Sequence, residues 1–206
     1  MNNHNEDIPR AVILASASSS RARLLAAAGI VFDVVPAGVD EGEVKAALLS
    51  EGAEPFTIAE ALAELKALQV SQRRPGRLVI GADQILECNG ILFDKPADVD
   101  HAKAHLRALR GNAHMLLTSV CVVRDNAVLW HHNERATLTM RQFDDGFIDD
   151  YVEAAGPQIC QSVGAYQVEG RGVQLFRKIE GDFYTIQGLP LLPLLDFLRN
   201  QGVVPQ

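Results

Sequence analysis

The chain has 206 residues, 48 % of them hydrophobic and 22 % charged, a globular composition that supports one domain with a sizeable core and excludes a disordered polymer. Nineteen Lys and Arg against 26 Asp and Glu give a formal net charge of −7, which argues against nonspecific binding to nucleic acid or anionic lipid. Any anionic ligand must then be held by a local basic cluster, and with neither an apolar run of membrane-spanning length nor a signal-peptide pattern in MNNHNEDIPR the expectation is a soluble, cytoplasmic single domain over 1–206, its residues 1–10 a flexible tail.

In chain order, AVILA at 11–15 reads as a short buried strand that runs into the hydroxyl cluster Ser16, Ser18, Ser19 and Ser20 at a helix start. Leu24, Leu25 and Ala28 continue at helical spacing, Gly29 caps the helix, and VFDVVPA returns as a strand. TIAEALAELKALQV at 57–70 predicts an amphipathic helix with Thr57 and Glu60 as a capping box. LVIGADQIL then reads as a buried strand, turned at CNG into ILFDKP, before a helix over Val99–Leu109 that stops near Gly111. Residues 114–124 and 126–141 alternate as two long strands of an antiparallel hairpin, turned at Arg124, Asp125 and Asn126. Phe143 to Ala154 predicts a helix, and five glycines between Gly156 and Gly181 mark loops and short strands. LLPLLDFLRN closes the chain as a core-docked helix with Pro190 before it and Pro193 in its first turn. Alternating strands and helices with a long hairpin define an α/β protein with a mixed sheet.

Four clusters carry chemistry. Ser16, Ser18, Ser19, Ser20, Arg21 and Arg23 lie where a strand meets a helix, so free N–H groups, hydroxyls and guanidinium groups suit an anion; a simple helix cap is the plainer alternative. Asp83, followed by Gln84, stands at the carboxyl end of a buried strand, where a carboxylate faces a ligand crevice or merely closes a turn. Lys95, stiffened by Pro96, can neutralise a phosphate, as can Lys66, while Asp40 and Glu41 form either a hard-cation pair or a solvated turn. Gly164–Gly172 surrounds Tyr166 and Glu169 with glycine, either to let a planar ligand approach or as a structural turn series. The three cysteines, Cys88, Cys121 and Cys160, fit neither a disulfide framework nor a metal motif and read as small core residues. His131 and His132 point to opposite faces of a strand and cannot share a metal; His101, His105 and His114 read as surface or core residues. Walker A, GxGxxG, GxSxG and HExxH patterns are missing, which removes several common enzyme classes.

In this order the clusters resemble the Maf family of nucleotide pyrophosphatases, related to the inosine triphosphate pyrophosphatases. The resemblance runs from about Ala11 to Leu198 and is carried by LASASSSRARLL, the DE of PAGVDE, the helix with Lys66, VIGADQ, the KP of FDKP, RGNAHMLLTSV, SVGAYQVEGRG and IEGDFYTIQGLPL. It implies an elongated mixed sheet with flanking helices, two lobes around a cleft, and a homodimer. The implied reaction cleaves a nucleoside triphosphate between the α and β phosphates with Mg²⁺ or Mn²⁺. By position, Asp83 matches the catalytic carboxylate, as water-activating base or metal ligand. Ser16, Ser18, Arg21, Lys66 and Lys95 match phosphate-holding positions, and Glu41, with Asp83, matches the metal side.

The departures concern the base. Ser20 stands where the dTTP and UTP type has Arg and the 7-methyl-GTP type has Trp. Gln84 and Glu169 look more like the 7-methyl-GTP type, and a carboxylate at 169 can accept from a guanine N–H edge. The expected function is therefore a house-cleaning pyrophosphatase leaning to 7-methyl-GTP. The alternatives are a nucleotide-binding regulator of cell division with little turnover and a phosphatase removing the terminal phosphate.

Overall fold

The computed structural model describes residues 12–205; Ala11, the expected tail at 1–10 and Gln206 lie outside the described residues. One seven-stranded sheet has the order β2-β1-β3-β5-β6-β7, with β4 paired to β3. The first strand, β1 (Val12–Leu14), is parallel to both β2 (Phe32–Val34) and β3 (Leu78–Cys88), and every other pairing is antiparallel. The sheet is mixed, with helices flanking it, as the alternation of elements predicts. Among the described residues no helix is long and apolar enough to cross a membrane.

The helix α1 (Ser19–Ala27) starts directly after β1 because Ser18 is in extended conformation and its hydroxyl accepts from the Arg21 N–H. Two unpredicted helices flank the site. In α2 (Glu41–Ser50), Asp40 caps the first turn by accepting from Glu43 N at 3.0 Å, so the DE pair is a helix start, not a turn. It escapes a pattern reading because none of its residues is buried and its apolar stripe is thin. The other, α6 (Phe183–Ile186), is a single turn capped by Asp182.

The long helix α3 (Pro55–Ser71) begins two residues before the expected Thr57. Pro55 occupies the first helical position, where its fixed φ suits the helix and its missing N–H costs nothing, and this places Thr57 inside the first turn. The Thr57–Glu60 capping box is therefore not formed; the Glu60 carboxylate accepts from Asn133 Nδ2 instead.

Beyond β3 and β4 (Ile91–Phe93) comes α4 (Val99–Leu109), with the predicted bounds and Asp98 as its cap. The hairpin of β5 (Ala113–Arg124) and β6 (Ala127–Met140) turns at Asp125 and Asn126, with φ of 52° and 62°, the left-handed conformation that two-residue hairpin loops require. In α5 (Asp145–Ala155) the cap is Asp144, which accepts from Phe147 N, so the helix starts two residues after the expected Phe143. The glycine-rich stretch forms short 3₁₀ turns at 157–161, 163–165 and 171–175 rather than a series of strands, and ends in one strand, β7 (Phe176–Glu180). The closing helix, α7 (Leu191–Asn200), docks through Leu191, Leu194 and Leu198.

The core has two major parts. Val12, Leu14, Ile80 and Val122 pack with α1 and α7 near the parallel strands, and Leu86, Leu116, Leu138 and Met140 pack with α4, α5 and the 3₁₀ turns further along. Cys88 and Cys121 are buried as expected, and burial pushes the Cys121 thiol up to about 12. Cys160 is only half-buried, because its 3₁₀ turn runs along the wall of the cleft described below.

Candidate active site

The site begins as a gap in the sheet. Along one edge β3 pairs continuously with β5, from Val79 to Glu87. Along the other, among the described residues, it pairs with β1 at Leu78–Ile80 and with β4 at Leu86–Cys88, and residues 81–85 have no strand partner there. Asp83 is at the centre of this gap. The loop Ala15–Ser18 leaves β1 beside the gap and delivers the start of α1 to it, placing backbone donors and hydroxyls at the carboxyl end of a parallel strand.

Gly81 brings α3 onto the strand. A Cβ at 81 would lie 2.1 Å from Ala63 O and 2.9 Å from Ala67 Cβ, so only glycine lets the helix backbone approach this closely. Lys66, one turn after Ala63, is thereby set over Asp83, which projects from the same face of β3 as Gly81. Lys66 Nζ donates to Asp83 Oδ1 at 2.7 Å and lies 2.9 Å from Glu41 Oε2 on α2. Both Lys66 and Asp83 are buried, at 6 % and 7 % exposure. Burial raises the Asp83 pKa above the ordinary carboxylate value, opposed by the Lys66 and Arg21 charges. Among the described residues no protein donor reaches Asp83 Oδ2.

Arg21 forms the opposite wall. It is buried, its Nε donates to Gly188 O at 2.7 Å and its Nη1 to Ser16 Oγ at 3.2 Å, and Nη2 has no hydrogen bond among the described residues. Burial lowers its pKa, against the raising influence of Asp83 and Glu41. Lys95, just beyond β4, makes no ion pair among the described residues; desolvation by the surrounding walls, then repulsion from Arg21, lowers its pKa. Lys45, on α2, pairs with Asp94 across the cleft.

All of these residues border one cleft of about 1010 Å³, together with Ser16, Ser18, Ser20, Gln84, Tyr166 and Glu169. The structure thus brings Ser16, Ser18, Ser20, Arg21, Glu41, Lys66, Asp83, Gln84, Lys95 and Glu169 to one cavity, whereas Arg23 and Asp40, also singled out in the sequence, are not in its lining: Asp40 is spent on capping α2 and Arg23 on Glu169. Gln84 uses its amide NH₂ on Thr118 Oγ1 at 2.8 Å and Thr185 O at 2.9 Å, which ties β3 to β5 and α6. Glu169 Oε1 pairs with Arg23 Nη2 at 2.9 Å. Tyr166 is held from behind by buried His114, whose Nε2 is 2.8 Å from the phenol oxygen. Lys45 is the charged cleft residue that the sequence does not single out, and Gln161, Ser162 and Gln187 join it among the unexpected polar lining; a helix start at Asp40 would have placed Lys45 one turn from Glu41.

For a divalent cation, Asp83 and Glu41 converge on one Lys66 ammonium, and among the described residues no group of three His, Cys, Asp or Glu forms a protein cage. Two carboxylates with the remaining positions left to substrate oxygens and water suit Mg²⁺, which is commonly bound in that way. The donor set fits a hard cation and would not suit a soft one.

An α/β protein with a cleft lined by closely set basic and acidic side chains at a gap in a mixed sheet is the class that fold and site define. The chain belongs to the family of Maf-like proteins, whose model matches residues 11–201. It is 55 % identical over 190 residues to the nucleoside triphosphate pyrophosphatase of Paramagnetospirillum magneticum, covering 92 % of this chain and 98 % of that protein. It is 51 % identical to the nucleoside triphosphate pyrophosphatase of Rhodospirillum rubrum, over 94 % of this chain and 96 % of that one. The 7-methyl-GTP pyrophosphatase of Mesorhizobium japonicum is 50 % identical over 94 % of this chain and 97 % of its own length.

Proposed function

We propose that this chain is a nucleoside triphosphate pyrophosphatase that cleaves between the α and β phosphates, releasing the monophosphate and pyrophosphate. The observation that carries this is the juxtaposition of buried Asp83 with Arg21, Lys66 and Lys95 in one cleft of an otherwise acidic protein. Half-identical, full-length relatives that bear the pyrophosphatase name support it.

A triphosphate bound here meets the Arg21 guanidinium, the Lys66 and Lys95 ammonium groups, the Ser16 and Ser18 hydroxyls and the free N–H groups at the start of α1. These spread positive charge over oxygens that become more negative as the bond breaks. Asp83 keeps Oδ1 on Lys66 and offers Oδ2 to a water, whose proton it accepts as the oxygen attacks phosphorus. Lys66 favours the ionised form of that carboxylate against the effect of burial and holds it in one rotamer. Glu41 would hold Mg²⁺ or Mn²⁺, with Asp83 joining it only if Asp83 serves as metal ligand in place of base; the cation supplies charge neutralisation at the phosphate oxygens when bound.

For the base, the proposed preference is of the 7-methyl-GTP type. Glu169 at the cleft mouth offers a carboxylate acceptor, and relatives named 7-methyl-GTP pyrophosphatase share 50 % and 49 % identity with the chain. Asp83→Asn tests the reaction: it should lower kcat by at least ~10²-fold, the lower end of what a positioned base supplies, while equilibrium nucleotide binding persists. A variant with full turnover removes Asp83 from the chemistry.

A further inference from the structure

The cleft mouth holds an ion pair that the proposed chemistry does not use. Arg23 stands on the outer side of α1, its side chain 57 % exposed, and reaches Glu169, whose side chain is 27 % exposed. Both partners sit on fixed backbone. Arg23 belongs to a capped helix, and Glu169 to a tight turn in which Gly170 N donates to Gln167 O. A Cβ on Gly172 would come within 2.4 Å of that same oxygen, so the turn is closed as tightly as glycine allows. Ser20 lies one helical turn before Arg23, and its small side chain leaves the adjoining wall open.

Charge decides what this corner can face. Unlike Asp83 and Glu41, Glu169 pairs with none of the cations proposed to hold the phosphates, so uncompensated repulsion leaves it to the other end of the nucleotide. Alone it would give the mouth a negative charge and favour a cationic base. With Arg23 on Oε1, the pair is neutral overall, and Oε2 keeps the capacity to accept a hydrogen bond from a base.

Resting on the reading of the site given above, we infer that Arg23 is a specificity-determining residue: it neutralises Glu169 and so sets how strongly the cleft discriminates a base with fixed positive charge from its neutral counterpart. The matched probes are 7-methyl-GTP and GTP, which differ by one methyl group and the charge it creates. A unit charge several ångströms from the base, at an effective dielectric between that of a protein surface and water, changes such a ratio on the order of threefold to tenfold.

The test is the ratio of kcat/KM for 7-methyl-GTP to that for GTP, with dissociation constants for both, in the full chain and its variants. Arg23→Gln, which keeps a donor for Glu169 but loses the charge, and Arg23→Ala should each raise the ratio by about threefold to tenfold, through KM. Arg23→Lys should hold it near the starting value, and Glu169→Gln should lower it. A ratio within twofold of the parent in both neutral variants, or a fall, overturns the inference. Should the parent chain bind both nucleotides without releasing pyrophosphate, the proposed reaction fails while the ratio of dissociation constants still decides the role of Arg23.

Discussion

Gly81→Ala isolates the feature that assembles the site. The added Cβ would sit 2.1 Å from Ala63 O, whereas ordinary contact begins at 3.4 Å, so α3 must withdraw from β3 by about 1 Å. The obstructing atoms are helix backbone and the Cβ of Ala67, with no flexible side-chain end to swing aside. Overpacking of this kind costs about 1–3 kcal/mol, which in a chain of this size lowers Tm by about 2–4 °C for each kcal/mol. The same withdrawal carries Lys66 away from Asp83, and a misplacement of about 1 Å can cost ~10²-fold in rate. Thermal unfolding followed by circular dichroism, with pyrophosphate release on the same samples, measures both. A variant that keeps its Tm within about a degree and its turnover within twofold would refute the claim that close approach at Gly81 positions the Lys66–Asp83 pair.

Further predictions concern protons and charge. In the chain free of divalent cation and nucleotide, burial raises the Asp83 pKa, so its carboxyl should titrate above the ordinary carboxylate range of about 4 when followed by carboxyl NMR, and Lys66→Met, which removes a lowering charge, should raise it further. A titration unmoved in that variant would separate the two residues. Lys66→Met also leaves Asp83 buried without its cation, and denaturant unfolding at neutral pH should show a loss of about 3–5 kcal/mol unless the carboxyl takes up a proton. His114 is buried and its pKa is depressed from 6.5 to about 4, because burial disfavours the charged ring. Its contribution to stability is complete above pH 6.5 and is lost as pH falls toward 4, a swing of about 3 kcal/mol. His114→Phe should flatten the stability–pH curve across that window, and an unchanged slope would contradict the assignment.

Much of the site was legible because it sits at boundaries that short sequence patterns mark. A buried run ending in Ser16–Ser20 located the loop from β1 to α1, and the run through LVIGADQ placed Asp83 on a central strand. The bounds of α4 agree with the expected Val99–Leu109, and the alternation located the hairpin turn, although Arg124, expected in the turn with Asp125 and Asn126, ends β5. What sequence could not show was closeness between distant elements. The separation between Gly81 and Ala63, which sets Lys66 on Asp83, is a property of two backbones in contact. The Arg23–Glu169 pair joins positions 146 residues apart, and neither side chain has a local signature of the other. α2 was missed for a different reason: its residues bury too little to impose a stripe, and its cap, Asp40, resembles any turn aspartate. In α3, Thr57 and Glu60 offered a good local cap that lost to Pro55, whose ring already suits the first helical position.

The most direct test of the central claim is identification of the products formed by the purified chain from a nucleoside triphosphate with Mg²⁺ or Mn²⁺, using 7-methyl-GTP, GTP, UTP and dTTP in parallel. Cleavage between the α and β phosphates predicts one pyrophosphate and one nucleoside monophosphate per turnover, lost in Asp83→Asn. Orthophosphate with a nucleoside diphosphate would mean that the cleft attacks the terminal phosphate, and would contradict the proposed placement of the triphosphate on Arg21, Lys66 and Lys95.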